Sequence, residues 1–206
     1  MNMAQRERHA LVGTMADVGP DAPTLCGDWT VRDLAAHLIV RERRPDAALG
    51  LVLKPLAARL ERVQREMARR PFPELLAKVR TGPPILLRPV DSPMNAGEMF
   101  IHHEDVRRCT PGWRPRDLPP ADEERLWKIV TSFVGRRAYR ASPVTVELVT
   151  PEGRRYVARQ AGERTVVLTG PPSELLLHAF GRDEVRLDAS GTPEDVETVH
   201  ALDRSV

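Results

Sequence analysis

The chain has 206 residues, 31 Lys and Arg against 29 Asp and Glu, and a formal net charge of +2. That length suffices for one domain or two modest ones, and balanced charge with 41% hydrophobic residues excludes an intrinsically disordered chain. The charge is too small for a broad nucleic-acid surface, no run approaches the ~18 apolar residues of a membrane span, and two cysteines make no disulfide framework. The expectation is a soluble protein of a reducing, cytoplasmic compartment, since residues 1–8 are polar and lack the apolar core of a signal peptide. Only Lys54, Lys78 and Lys128 are lysines, so the positive charge is nearly all arginine.

Helices come first in chain order. Residues 4–18 carry Ala10, Leu11, Met15 and Val18 at helical spacing, and Gly19-Pro20 ends the segment. Thr30-Val31-Arg32-Asp33 is a capping box, followed by the stripe Val31, Leu34, Ala35 and Leu38 up to about Arg44-Pro45. A helix over about 55–70 would show Leu56, Leu60, Val63 and Met67 on one face. Ser92-Pro93 offers an N-cap and a first-turn proline for a helix reaching about Arg108. Pro119-Pro120 precedes another, with Leu126, Ile129, Val130, Phe133 and Val134 at period 3.6. Four or five such helices suggest a bundle.

The period changes after Pro143. Val144 to Thr150 alternates like a strand, Pro151-Glu152-Gly153 reads as a turn, and 155–159 and 165–169 continue as strands. Pro171-Pro172-Ser173 opens a helix with Leu175, Leu176, Leu177, Ala179 and Phe180, closed by Gly181. A last strand is expected over Val185 to Asp188 and a last helix over 194–202. This places a boundary near residue 142, between a helical domain and a small α/β unit.

Six histidines lie among many carboxylates. Glu98 and His102 are four apart, so on a helix they project from one face about a turn apart. Two such groups can converge on one cation, or form a solvated pair on an amphipathic helix. His103 lies ~100° further round and cannot join them. His37 sits at the edge of its apolar stripe, with Asp33 and Arg41 one turn to either side. It reads either as a half-buried helix residue or as a third ligand across the bundle, with Asp33 behind the imidazole. Two histidines and a carboxylate with an open position suit a catalytic zinc or a similar divalent ion. Cys26 and Cys109 lie outside the helix motifs and read as packing residues.

The run Cys26-Gly27-Asp28-Trp29-Thr30-Val31-Arg32-Asp33-Leu34-Ala35-Ala36-His37-Leu38 resembles the first signature of the mycothiol-dependent maleylpyruvate isomerase family. That family is part of the DinB/YfiT-like superfamily of metal-binding four-helix bundles. The stretch Asn95 to Arg108, with Glu98, His102, His103 and Asp105, resembles the second signature, in particular that of an actinobacterial branch known by its metal binding. Gly170 to Leu177, through Gly181-Arg182, resembles the small C-terminal domain of the isomerase. The resemblance implies an α+β fold, a DinB-like four-helix bundle over 1–142 followed by a small α/β domain over 143–206. It implies His37, Glu98 and His102 as the ligands of a divalent metal ion, zinc ahead of nickel or iron. It also implies mycothiol as cosubstrate, and Arg182 as the C-terminal-domain arginine that assists binding or catalysis. The implied activity is a thiol-dependent transferase or isomerase in which the metal activates the thiol. The alternative is a non-catalytic metal- or ligand-binding stress-response protein.

The remaining polar clusters carry two readings each. His103-Glu104-Asp105 is either a solvated helix face, with Asp105 pairing Arg107 or Arg108, or a set that orients a ligand or relays protons at the site mouth. Arg41, Arg43 and Arg44 close a helix, where cations complement the macrodipole, and are expected on a solvated face. His178 and His200 are expected at the surface, and His9 in a structural role. No helix-turn-helix, base-stacking platform or glycine-rich phosphate loop appears. The resemblance implies a small-molecule thiol and an electrophile as partners; no nucleic acid and no membrane are expected, for a monomer or a homodimer.

Overall fold

A computed structural model describes residues 1–48, 57–83 and 93–204. The expected helix start at 55–56, with Leu56, and the expected N-cap Ser92 lie outside the described residues. The chain divides into two compact units, Met1–Trp113 and Arg114–Val206. The first is built of helices, and the second combines helices with a four-stranded sheet, so the fold class is α+β.

In the first unit, α1 (Met3–Val18) starts at Asn2, whose side chain and that of Gln5 cap each other's backbone. The expected box opens α2 (Val31–Arg43): Asp33 N donates to Thr30 Oγ1 at 3.3 Å, and Thr30 N donates to Asp33 Oδ2 at 3.0 Å. A short turn of helix, α3 (Pro45–Ala48), is followed by α4 (Ala57–Ala68), α5 (Phe72–Thr81) and α6 (Pro93–Arg107). Helix α5 was not expected from periodicity, because its buried pair, Leu75 and Val79, is too short a stripe to register. One core joins Leu11, Val12 and Met15 of α1, Leu34 and Leu38 of α2, Leu75 and Val79 of α5, and Met99 and Val106 of α6. Helix α4 packs on α2 through Leu60 and Val63 against Val40.

Helix α6 is buried on most sides, which corrects the solvated reading of its polar residues. Ala96, Met99, Phe100, Ile101 and Val106 are buried, and so are His103, Glu104 and Asp105. Charged groups in that setting need partners. His103 has Glu7 Oε2 at 2.9 Å and the Thr14 hydroxyl at 3.0 Å, and Glu104 accepts from Arg107 at 2.8 Å and Arg108 at 2.6 Å. Glu104 thus takes both arginines that the sequence offers as partners of Asp105.

In the second unit, α7 (Pro120–Ile129) runs into a wide turn, Val130–Val134, where Ser132 leaves helical geometry at φ −84° and ψ −153°, and resumes as α8 (Gly135–Ala138). The wide turn shifts the helical register, and Phe133, expected on the apolar stripe, is exposed. Strands β1 (Thr145–Val149), β2 (Arg155–Arg159) and β3 (Thr165–Thr169) fall where expected, and β4 (Asp188–Ser190) completes the order β2-β1-β3-β4. β1 pairs antiparallel with β2 and parallel with β3, and β4 pairs antiparallel with β3. The expected strand over 185–188 is displaced. A Cβ at Gly170 would lie 2.4 Å from Leu187 Cδ2, and Arg186 N donates to Glu174 Oε2 at 2.7 Å, so the chain enters the ladder only at Asp188.

Helix α9 (Pro172–Ala179) borrows its cap from α7, whose Glu123 accepts from Ser173 N at 2.9 Å and Ser173 Oγ at 2.8 Å. Helix α10 (Pro193–His200) is capped by Thr192. His178, expected at the surface, is fully buried, with Tyr139 Oη 2.7 Å from Nδ1 and His200 Nδ1 3.2 Å from Nε2; His200 is exposed as expected. The change of period near Pro143 marks where helix gives way to strand. The compact units divide earlier because α7 and α8 pack with α9. No described helix is long and apolar enough to cross a membrane.

Candidate metal centre

The three residues read as ligands come together inside the first unit. The core shared by α2 and α6 sets His37 against Glu98 and His102, and one donor atom from each lies within 4.8 Å of the others. The His37 and His102 rings sit edge to face with centroids 5.7 Å apart, and Glu98 Oε1 is 3.9 Å from His102 Nε2. The i,i+4 spacing thus does on α6 what helical geometry demands of it.

Each of the three is held from behind by a second side chain. Gln64 of α4 places its amide nitrogen 2.7 Å from His37 Nδ1, and Trp29 packs on the same ring at 4.9 Å between centroids. Asp105 Oδ2 lies 2.9 Å from His102 Nδ1, and Arg41 pairs with Glu98 Oε2. Two expectations are corrected here. Asp33 does not support His37, because its carboxylate is engaged by the Thr30 backbone and hydroxyl at 3.0 and 2.7 Å. Arg41 is not part of a solvated face but an ion-pair partner of the central carboxylate. Arg43 is likewise engaged, donating to Thr81 Oγ1 and Gly82 O at 2.6 Å each.

The electrostatics follow from burial. His37 is held neutral, its pKa lowered to about 3 by desolvation first and by the neighbouring His102 and Arg41 second. Burial pushes the Glu98 carboxyl upward, while Arg41 and His102 draw it back down. A neutral imidazole is a ready donor, since a cation binds deprotonated ligands, and Arg41 favours the deprotonated form of Glu98 against its burial. The donor set of two imidazoles and one carboxylate fits a borderline divalent ion with N and O ligands.

Sequence reasoning missed Gln64 and the position of Cys26. Cys26 Sγ donates to Asp105 Oδ2 at 3.0 Å, and Cys26, His102 and Asp105 form a second group whose donor atoms lie within 4.8 Å. Leu25 N, bonded to Asp105 O at 3.1 Å, brings that loop onto α6, a long-range contact with no local signal. Beside His37 opens a cleft of about 410 Å³ lined by Trp29, Asp33, Glu61, Gln64 and Arg65. Cys109 is half-buried. In the second unit Arg182 donates to the Phe180 carbonyl at 2.5 Å, at the end of α9.

Two solved structures share the fold: a mycothiol-dependent maleylpyruvate isomerase, with TM-score 0.56, and a histidine-to-alanine mutant of such an isomerase, with TM-score 0.54. Each is 17% identical over 91% of this chain and 90% of its own. No curated protein matches the chain in sequence. Residues 3–96 match the family model of the mycothiol maleylpyruvate isomerase N-terminal domain, a span that holds the Trp29-to-His37 signature. The family that the sequence resembles is therefore the one whose N-terminal domain model residues 3–96 match.

Proposed function

We propose that the protein is a divalent-metal-dependent enzyme that uses a low-molecular-weight thiol, mycothiol above others, to transfer or isomerise an electrophilic substrate. The observation that carries this reading is the convergence of His37, Glu98 and His102 in a chain whose residues 3–96 match the isomerase N-terminal domain. In this reading α1, α2, α5 and α6 form a DinB-type four-helix bundle, and zinc is the preferred ion ahead of nickel or iron. A divalent ion held by those three side chains lowers the pKa of a thiol and supplies a thiolate nucleophile at neutral pH.

The chain's own residues set the conditions for that chemistry. His37 stays neutral because it is buried, so it needs no proton loss to act as a donor. Arg41 steadies the ionised form of Glu98 against desolvation. Trp29 and Gln64 wall the cleft beside His37 and fix the orientation of its ring. Arg182 takes the role of the arginine that assists substrate binding or turnover.

The test is thiol consumption by apo-protein reconstituted with zinc, nickel or ferrous ion, with mycothiol and an electrophile bearing an activated double bond. We expect turnover that needs both metal and thiol, is abolished in His37→Ala, and falls in Arg182→Ala with metal retained. Turnover unchanged without metal would overturn the reading. Saturable ligand binding with no product, across thiols and electrophiles, would favour the non-catalytic metal- or ligand-binding protein instead.

A further inference from the structure

We infer that Cys26 and Asp105 are positioning residues that hold His102 from behind, so that the Cys26–His102–Asp105 group supports the metal centre rather than forming a second one. This rests on the metal reading above. His102 has two ring nitrogens with different surroundings. Nδ1 lies 2.9 Å from Asp105 Oδ2, which makes it a donor carrying the ring proton. Nε2 then has the free lone pair, and it is the nitrogen that lies 3.9 Å from Glu98 Oε1.

Asp105 is itself fixed. Its side chain is fully buried, and the same Oδ2 that takes His102 Nδ1–H also accepts the Cys26 thiol at 3.0 Å. A buried carboxylate needs such donors, and charge-assisted bonds of this kind set the ring orientation tightly. The thiol reaches the carboxylate because Leu25 N donates to Asp105 O at 3.1 Å, which clamps the loop before α2 onto α6. A cation among Cys26, His102 and Asp105 would have to strip the Nδ1 proton and break both bonds to Oδ2. The sulfur therefore stands 3.9 Å from His102 Nδ1, on the far side of the ring from Glu98, as part of the frame.

The experiment measures zinc affinity by competition with a chromophoric chelator, and the absorption of the cobalt(II)-substituted protein, for wild type, Cys26→Ala, Cys26→Ser and Asp105→Asn. Melting of the apo forms reports folding. We expect no sulfur-to-cobalt charge-transfer band in wild type. Zinc binding should weaken about 10- to 100-fold in Cys26→Ala and Asp105→Asn, the loss typical when the partner behind a ligating histidine is removed. Cys26→Ser, which keeps a donor, should stay near wild type. Because Asp105 is buried, Cys26→Ala and Cys26→Ser carry the test if Asp105→Asn does not fold. A charge-transfer band that disappears in Cys26→Ala would overturn the inference by making the thiol a ligand. Unchanged affinity in folded Cys26→Ala would overturn it while leaving the metal reading in place. Failure of wild type to bind either ion would remove both.

Discussion

His37 acts through the side chain behind it. The Gln64 amide has a donor end and an acceptor end, and with its nitrogen on His37 Nδ1 the neutral ring carries its proton on Nε2. A half-turn of the amide puts the oxygen there, moves the proton to Nδ1 and bares Nε2 for a cation. Replacing Gln64 by Leu removes that choice, and we expect zinc affinity to fall about 10- to 100-fold with folding intact. Calorimetric titration of the apo-protein checks this, and an unchanged affinity would remove Gln64 from the centre. The three side chains that meet were legible as candidates, because Glu98 and His102 obey helical spacing and His37 sits in a recognisable signature. Their supports were not. Asp33 looks like the natural partner of His37 one turn away, yet the Thr30 cap had already claimed its carboxylate. Gln64, which does support His37, stands on α4 among Glu61 and Arg65 and reads there as solvated surface.

Elements were legible where local chemistry alone decides them. The capping box of α2 is one such case, and Thr30→Ala should destabilise the first unit by about 1 kcal/mol, read from the urea midpoint. Three of the four strands were plain from alternation and turn residues. Helix α5 and strand β4 were not, because a two-residue stripe and the packing of Leu187 over Gly170 are set by tertiary neighbours. The wide turn between α7 and α8 is a third such feature. There Gly135 meets the Val130 carbonyl oxygen so closely that an added Cβ would lie 2.3 Å from it. Gly135→Ala must therefore displace backbone, and we expect a loss of about 1–3 kcal/mol in urea unfolding of the second unit. A stability equal to wild type would mean that the turn relaxes freely.

For the whole molecule, balanced charge leaves pH dependence to a few buried groups. His178 is neutral in the fold, its pKa held well below 6.5 by burial first, then by the positive charge of Arg204 and His200. His37 is lowered in the same sense, to about 3. Both groups bind fewer protons folded than unfolded, so their contribution to stability is complete above about pH 6.5 and declines as pH falls below it. For His37 the decline continues to about pH 3, where the folded ring also takes up a proton. The urea midpoint of apo-protein measured from pH 8 to 5 should therefore fall, and His178→Asn should flatten the slope for the second unit. A midpoint independent of pH over that interval would contradict the burial argument. None of this was legible in the sequence, where His178 lies on a short helix and its partner Tyr139 is 39 residues away.

The most direct test of the account is metal content after reconstitution with zinc and gel filtration, for wild type and for His37→Ala, Glu98→Ala and His102→Ala, with circular dichroism of each. About one equivalent is expected in wild type, as a three-ligand site with an open position would hold, with its loss in all three folded variants. No retained metal in wild type, or the same equivalent retained in every variant, would contradict it.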